Sequence, residues 1–288
     1  MKRRALAGLA VAVLAISWGA PLARLAVAAP LAIAMWRMLI STAIIAPIAL
    51  VVGGSRLDRR HWRPALLASA FLGLHFGLWI PSLWLTSVTA SVVLVTTQPL
   101  WVLLLSPRLL GAPIRPRSLI SFALGIMGVA VIVRGDLEVS PRALAGDAMA
   151  LAAAVCMAAY LVIGKRVRPE VPLVRYLTVV YGGAAAVLWL AVVILGVDPW
   201  PENASTWLFL VGLAVGPSLV GHTLLNWALA HLEAYRVNLA VLLEPVGATL
   251  LTWLVIGERP PLHVLPGAGL IIVGLALEFL FDRGSAAS

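Results

Sequence analysis

The chain has 288 residues, of which 62% are hydrophobic and only 11% charged. Soluble domains carry about 25% charged residues, so too little polar surface exists here to coat a water-facing globule, and the bilayer is the expected solvent. The formal charge of +9 points away from a nucleic-acid partner once the basic residues are located, because they are sorted by loop, as in membrane topology, rather than gathered on one face.

Backbone polar groups in hydrocarbon must be satisfied within each segment, and long unbroken apolar runs do not resemble barrel strands, so the spans are read as helices. At about 20 residues per span, the length accommodates about ten. In chain order they are expected at 5–27, 30–52, 64–84, 88–106, 118–134, 144–164, 172–196, 206–230, 235–256 and 262–281. The basic start MKRR precedes an apolar stretch, but Trp18, Pro21 and Arg24 interrupt a cleavable leader, so the first span is expected to be retained. With that end inside, the cytoplasmic loops hold Arg56, Arg59, Arg60, Arg63, Lys165, Arg166 and Arg168, against Arg24, Arg134, Arg142 and Arg259 outside. Both termini are therefore expected in the cytoplasm and the protein in the inner (plasma) membrane. The single Cys156 precludes an internal disulfide.

Two segments, VLVTTQPLWVLLLSPRLLG (93–111) and LAVLLEPVGATLLTWLVIG (239–257), align Gln98-Pro99 with Glu244-Pro245 at an offset of 146 residues. The same offset pairs Gly111 with Gly257 and Gly128 with Gly274. Chance matches between apolar runs are cheap, so the Pro and Gly coincidences carry the argument for duplication. Two units are expected, 1–142 and 143–288, joined at RGDLEVSPR (134–142). Five spans per unit is an odd number, so the second copy enters the membrane upside down. The expected fold class is an all-α integral membrane protein with ten transmembrane helices in two inverted five-helix repeats, an arrangement that suits alternating access to a site near the midplane.

Trp18-Gly19-Ala20, Arg37 within MWRML, Gly146-Asp147, LEPVGATLLTWLVIGE (243–258) and Gly274 resemble the drug/metabolite transporter superfamily, in particular its EamA-type ten-helix members. The resemblance spans nearly the whole chain and is stronger in the second unit, since the first has Gly111-Ala112 where the second has Gly257-Glu258. It implies export or exchange of small metabolites, amino-acid-like or hydrophobic and aromatic compounds among them, without ATP.

Several residues are candidates for the site. Glu244 is the one carboxylate expected near the membrane centre, where an ionisable group needs pairing, water or neutrality; it either couples proton movement to substrate or braces the kink at Pro245. His75 and Trp79 share a helix face with Ser82, and His222, Asn226 and Glu233 form a similar row in the eighth span. These are read either as cavity-lining groups or as interhelical hydrogen-bonding partners. Gln98 stands where the second unit has Glu244. The deeper aromatics Trp18, Trp79, Trp101 and Trp227, with Tyr160, either line an aromatic cavity or fill space against lipid, while Trp36, Trp62, Trp84, Trp200 and Trp207 suit interfacial belts. Arg37 either snorkels outward as an anchor, the preferred reading, or draws an anionic substrate group in from the vestibule.

No cofactor or metal is expected, because no carboxylate or Cys stands at ligand spacing beside the histidines. The expected partners are a small metabolite, the lipid bilayer and, through Glu244, the proton. An intramembrane enzyme using His75, His222, Asn226 and Glu244 lacks any HExxH, GxSxG or CxxC motif, and a channel lacks a charge ring or filter motif; both remain as alternatives.

Overall fold

The computed structural model describes residues 2–52, 57–111, 118–231, 241 and 243–283. Glu233 and the opening of the expected ninth span lie outside the described residues. The helices are α1 (Lys2–Ser17), α2 (Gly19–Leu25), α3 (Pro30–Val52), α4 (Arg59–Ser82), α5 (Val88–Val95), α6 (Gln98–Leu110) and α7 (Ser118–Val139). They continue with α8 (Pro141–Val167), α9 (Leu173–Ile194), α10 (Thr206–Leu213), a π-helical stretch (Ala214–His222), α11 (Thr223–His231), α12 (Glu244–Ile256) and α13 (Val264–Arg283). Among the described residues there is no strand.

Among the described residues, seven stretches are long and apolar enough to cross a membrane, and three shorter apolar helices, Leu119–Arg134, Glu244–Ile256 and Val264–Gly274, stand where the fifth, ninth and tenth spans are expected. Large apolar side chains such as Leu14, Leu50, Val51, Ile194, Leu208 and Leu254 are exposed. In a bilayer these faces meet lipid. Trp36 donates its indole N–H to the Pro199 carbonyl at 2.6 Å and packs against Trp200 and Trp207, which pins the 197–205 connection to α3 and α10.

Helix contacts repeat under exchange of each span with the one five places later. α4 lies along α8, and α1 correspondingly lies along the π stretch and α11; α3 packs on α9, α5 on α12 and α7 on α13. The α7–α13 seam shows this in detail. Ile132 of α7 lies beside Gly267, while Ser121 and Leu124 lie beside Gly274, so the two helices run antiparallel. A Cβ on Gly128 would lie 2.5 Å from the Gly267 carbonyl oxygen, and one on Gly274 would lie 2.8 Å from that of Ser121. Residues 128 and 274, and likewise 121 and 267, are partners under the 146-residue offset, so the two contacts are copies of each other. Gly111 after α6 and Gly257 after α12, also offset partners, both adopt positive φ, 68° and 82°, the left-handed conformation that ends a helix and that glycine adopts without steric cost.

Candidate functional site

Four of the expected spans depart from regular α-helix among the described residues, and the irregular stretches converge. The first parts at Trp18 between α1 and α2, and the fourth at Thr96–Thr97 between α5 and α6. Pro99 supplies no N–H, so helical pairing fails upstream of it. The hydroxyls of Thr96 and Thr97 compensate by donating to the carbonyls of Val93 and Leu94 at 2.9 and 2.7 Å. Pro217 sits inside the π stretch of the eighth span, where its missing N–H and bulky ring favour the wider turn. In the ninth, Pro245 follows Glu244 at the start of α12, where a missing N–H costs nothing.

These interruptions surround a narrow central cavity lined by Ile16, Gly19, Arg37, His75, Phe76, Trp79, Val95, Thr96, Gln98, Met157, His222, Leu225, Val241 and Glu244. Irregular backbone at membrane depth is tolerated where it borders a cavity, and broken helices place polar groups there. The offset partners Gln98 and Glu244 both line it. Phe76 and His222 are offset partners too, and their rings meet edge to face at 5.5 Å.

His75 of α4 is held in one orientation. His75 Nδ1 lies 3.0 Å from the Ala153 carbonyl on α8, so this nitrogen carries the proton, and the ring stacks on Trp79 at 6.0 Å. Arg37 points inward rather than snorkelling: it is 1% exposed, its Nε–H donates to Ser218 Oγ at 2.7 Å, and its guanidinium lies 4.0 Å from the centroid of Phe76. Tyr181 holds the other side of that anchor by donating its hydroxyl to the Ser218 carbonyl at 3.1 Å. The π-helical turn thus presents Ser218 to a cation reaching across from α3. Glu244 is half buried and lines the same cavity.

Other sequence candidates stand outside the lining. Asn226 donates Nδ2–H to the Tyr160 hydroxyl at 2.7 Å and to the His222 carbonyl at 2.8 Å, joining α11 to α8 just behind the cavity. Trp101 donates to Thr97 Oγ1 at 3.2 Å and braces the break in the fourth span. Trp227 packs over Gly8 of α1, and Trp18 is 39% exposed. Towards the end of α8, Arg168 donates to the Val171 carbonyl and stands 5.9 Å from the centroid of the Tyr176 ring; burial holds its pKa below the ordinary range.

The sequence reading missed Phe76, Thr96 and Ser218. Thr96 had a usable signal, hydroxyls immediately before a mid-span proline, and Ser218 directly follows Pro217. Phe76 had none, being one apolar residue among many.

At the opposite end from the loop bearing Arg168, a polar clamp closes the bundle. Arg24 donates to Glu258 Oε2 at 3.3 Å and to the Leu83 carbonyl at 3.1 Å, while Glu258 Oε1 accepts the Val88 N–H at 2.8 Å. One carboxylate therefore caps the N-terminus of α5 and ties α12 to α2.

Comparison with known proteins places this geometry. The model of the EamA-like transporter family matches residues 4–134 and again 144–280. Over 245 residues the chain is 26% identical to an uncharacterized transporter of Synechocystis sp., covering 80% of this chain and 69% of that protein. Over 252 residues it is 25% identical to the uncharacterized transporter YdfC of Bacillus subtilis, covering 86% and 81%. An uncharacterized transporter of Archaeoglobus fulgidus is 24% identical over 217 residues, covering 75% and 76%. A solved crystal structure shares the fold with a TM-score of 0.70 at 24% identity, covering 98% of this chain and 99% of that one.

Proposed function

The chain belongs to the EamA-like transporter family, and from that premise we propose that it is a secondary transporter moving a small organic metabolite across the inner membrane by alternating access. The observation that carries this reading is the central cavity, which lies where the interrupted spans meet and is lined by the offset partners Gln98 and Glu244. The two units, 1–142 and 143–288, exchange conformations, so a site open to one side becomes open to the other. The antiparallel α7–α13 seam and its mirrored glycine contacts support an inverted pair. Transport runs outward, both termini lie in the cytoplasm, and Glu244 carries the coupling proton.

Counterflow in proteoliposomes tests the carrier. Saturable exchange of a labelled metabolite for unlabelled substrate supports it, whereas chemical conversion points to an enzyme and unsaturable flux to a channel. Reporter fusions at the two ends test the topology: signals from opposite faces would be incompatible with an even number of spans. The coupling role is checked with Glu244→Gln, which should retain exchange while losing acceleration by an imposed proton gradient. Undiminished acceleration would leave Glu244 as a brace for the Pro245 kink.

A further inference from the structure

Among the described residues, two hydrogen-bond donors on the cavity wall have no acceptor. Arg37 uses Nε on Ser218, but its Nη1 is buried without a partner among the described residues, and so is Nε1 of Trp79. Buried orphan donors are costly, and a cationic one more so, because nothing replaces the water lost on folding. Both residues line the same cavity. Phe76 neighbours both, 4.0 Å from the guanidinium carbon and 6.4 Å from Trp79 between centroids, which puts the guanidinium and the indole no more than about 10 Å apart.

A carboxylate suits the unpartnered guanidinium donor. It is planar, singly charged and presents two acceptor oxygens, matching the fork of a guanidinium whose orientation is already fixed by Ser218 and Phe76. The rest of the lining sets the remainder of the ligand. Ile16, Val95, Met157, Leu225 and Val241 are apolar, and the stacked His75–Trp79 pair beside Phe76 offers ring faces and edges to a flat body. Glu244, on the same cavity, places an acidic group against any second carboxylate.

We propose that the cavity receives a monocarboxylate with a flat, apolar body, its carboxylate bound by Arg37 Nη1 with support from the Trp79 indole N–H. This deepens the carrier reading and rests on it for transport, but binding is separately measurable.

The test uses the full chain purified in detergent, with radiolabelled phenylacetate as probe in a scintillation-proximity assay and phenylacetamide and phenylmalonate as unlabelled competitors. Phenylacetate should bind at least about tenfold more tightly than the neutral amide, since only the acid forms charge-assisted bonds, and phenylmalonate should compete poorly. Arg37→Gln should bring acid and amide to parity. Trp79→Phe, which keeps an aromatic ring but removes the indole N–H together with part of the ring area, should weaken the acid several-fold and the amide less, so that the acid-to-amide ratio falls. Equal affinity of acid and amide for the wild type, or no binding of phenylacetate, benzoate or indole-3-acetate, would overturn the proposal. If Arg37→Gln fails to fold, Trp79→Phe decides: an unchanged acid-to-amide ratio counts against the site. Tight acid binding without counterflow would keep the carboxylate site and remove the carrier reading. Counterflow of neutral compounds alone would do the reverse.

Discussion

Placing one methyl group on Gly128 tests whether the α7–α13 seam is as close as its backbone contacts require. The added Cβ of Gly128→Ala would stand 2.5 Å from the Gly267 carbonyl oxygen, 2.7 Å from Ile271 Cγ1 and 3.0 Å from the Ile271 nitrogen, and two of those neighbours are backbone atoms that no rotamer change can move. The helices must separate by roughly 1 Å, enough to forfeit a quarter to a half of each dispersion contact along the seam. Overpacking of this kind costs about 1–3 kcal/mol, against about 0.5–1 kcal/mol gained by replacing glycine with alanine in a helix. A net loss centred on about 1 kcal/mol and reaching about 2.5 remains, which at roughly 2–4 °C per kcal/mol lowers the melting temperature by a few degrees. Gly269 on the same helix has nothing within 4 Å of its Cβ position, so Gly269→Ala should melt at or slightly above the wild type. Gly274→Ala, at the offset-related contact, should behave like Gly128→Ala. Intrinsic tryptophan fluorescence during thermal unfolding in detergent reads all three. A Gly128→Ala protein as stable as Gly269→Ala would refute the seam geometry and with it the mirrored contact.

Ser218→Ala removes the buried acceptor of Arg37 Nε and should cost about 1–3 kcal/mol, read as a lower melting temperature. Thr97→Val deletes the hydroxyl that donates to Leu94 and accepts from Trp101, and should cost about 1 kcal/mol in the same assay. The Arg24–Glu258 pair is about one quarter exposed on each side, so solvent screening limits Glu258→Gln to a loss below about 1 kcal/mol. Glu258→Leu also strands the Val88 N–H and should cost about 1 kcal/mol more; equal effects of the two substitutions would contradict the capping role of this carboxylate.

Much of the architecture was legible because it depends on solvent and on covalent constraints. Proline lacks an N–H wherever it occurs, so a kink at Pro245 was legible, but that α6 and α12 begin at Gln98 and Glu244 came only from the structure. Gly111 and Gly257 were legible as offset partners, and the structure added that both adopt positive φ. Side-chain direction was less legible. Trp18, Trp79, Trp101 and Trp227 look alike along the chain, yet Trp79 alone reaches the cavity wall, because helix rotation is set by neighbours rather than by the residue itself.

Arg37 shows the same division most sharply. Its sequence position, a lone cation inside an apolar span, established that it needed water, a partner or a route to the interface, and by itself favoured snorkelling. Its partner is Ser218, 181 residues away, on a turn widened around Pro217, and no local pattern reports a hydrogen bond between segments so distant. The sequence by itself determined that the chain is a bundle of apolar helices, because hydrocarbon leaves backbone groups no other partners. Only the tertiary structure decided which polar groups face one another across the central cavity, because that depends on how helices from both units rotate and pack.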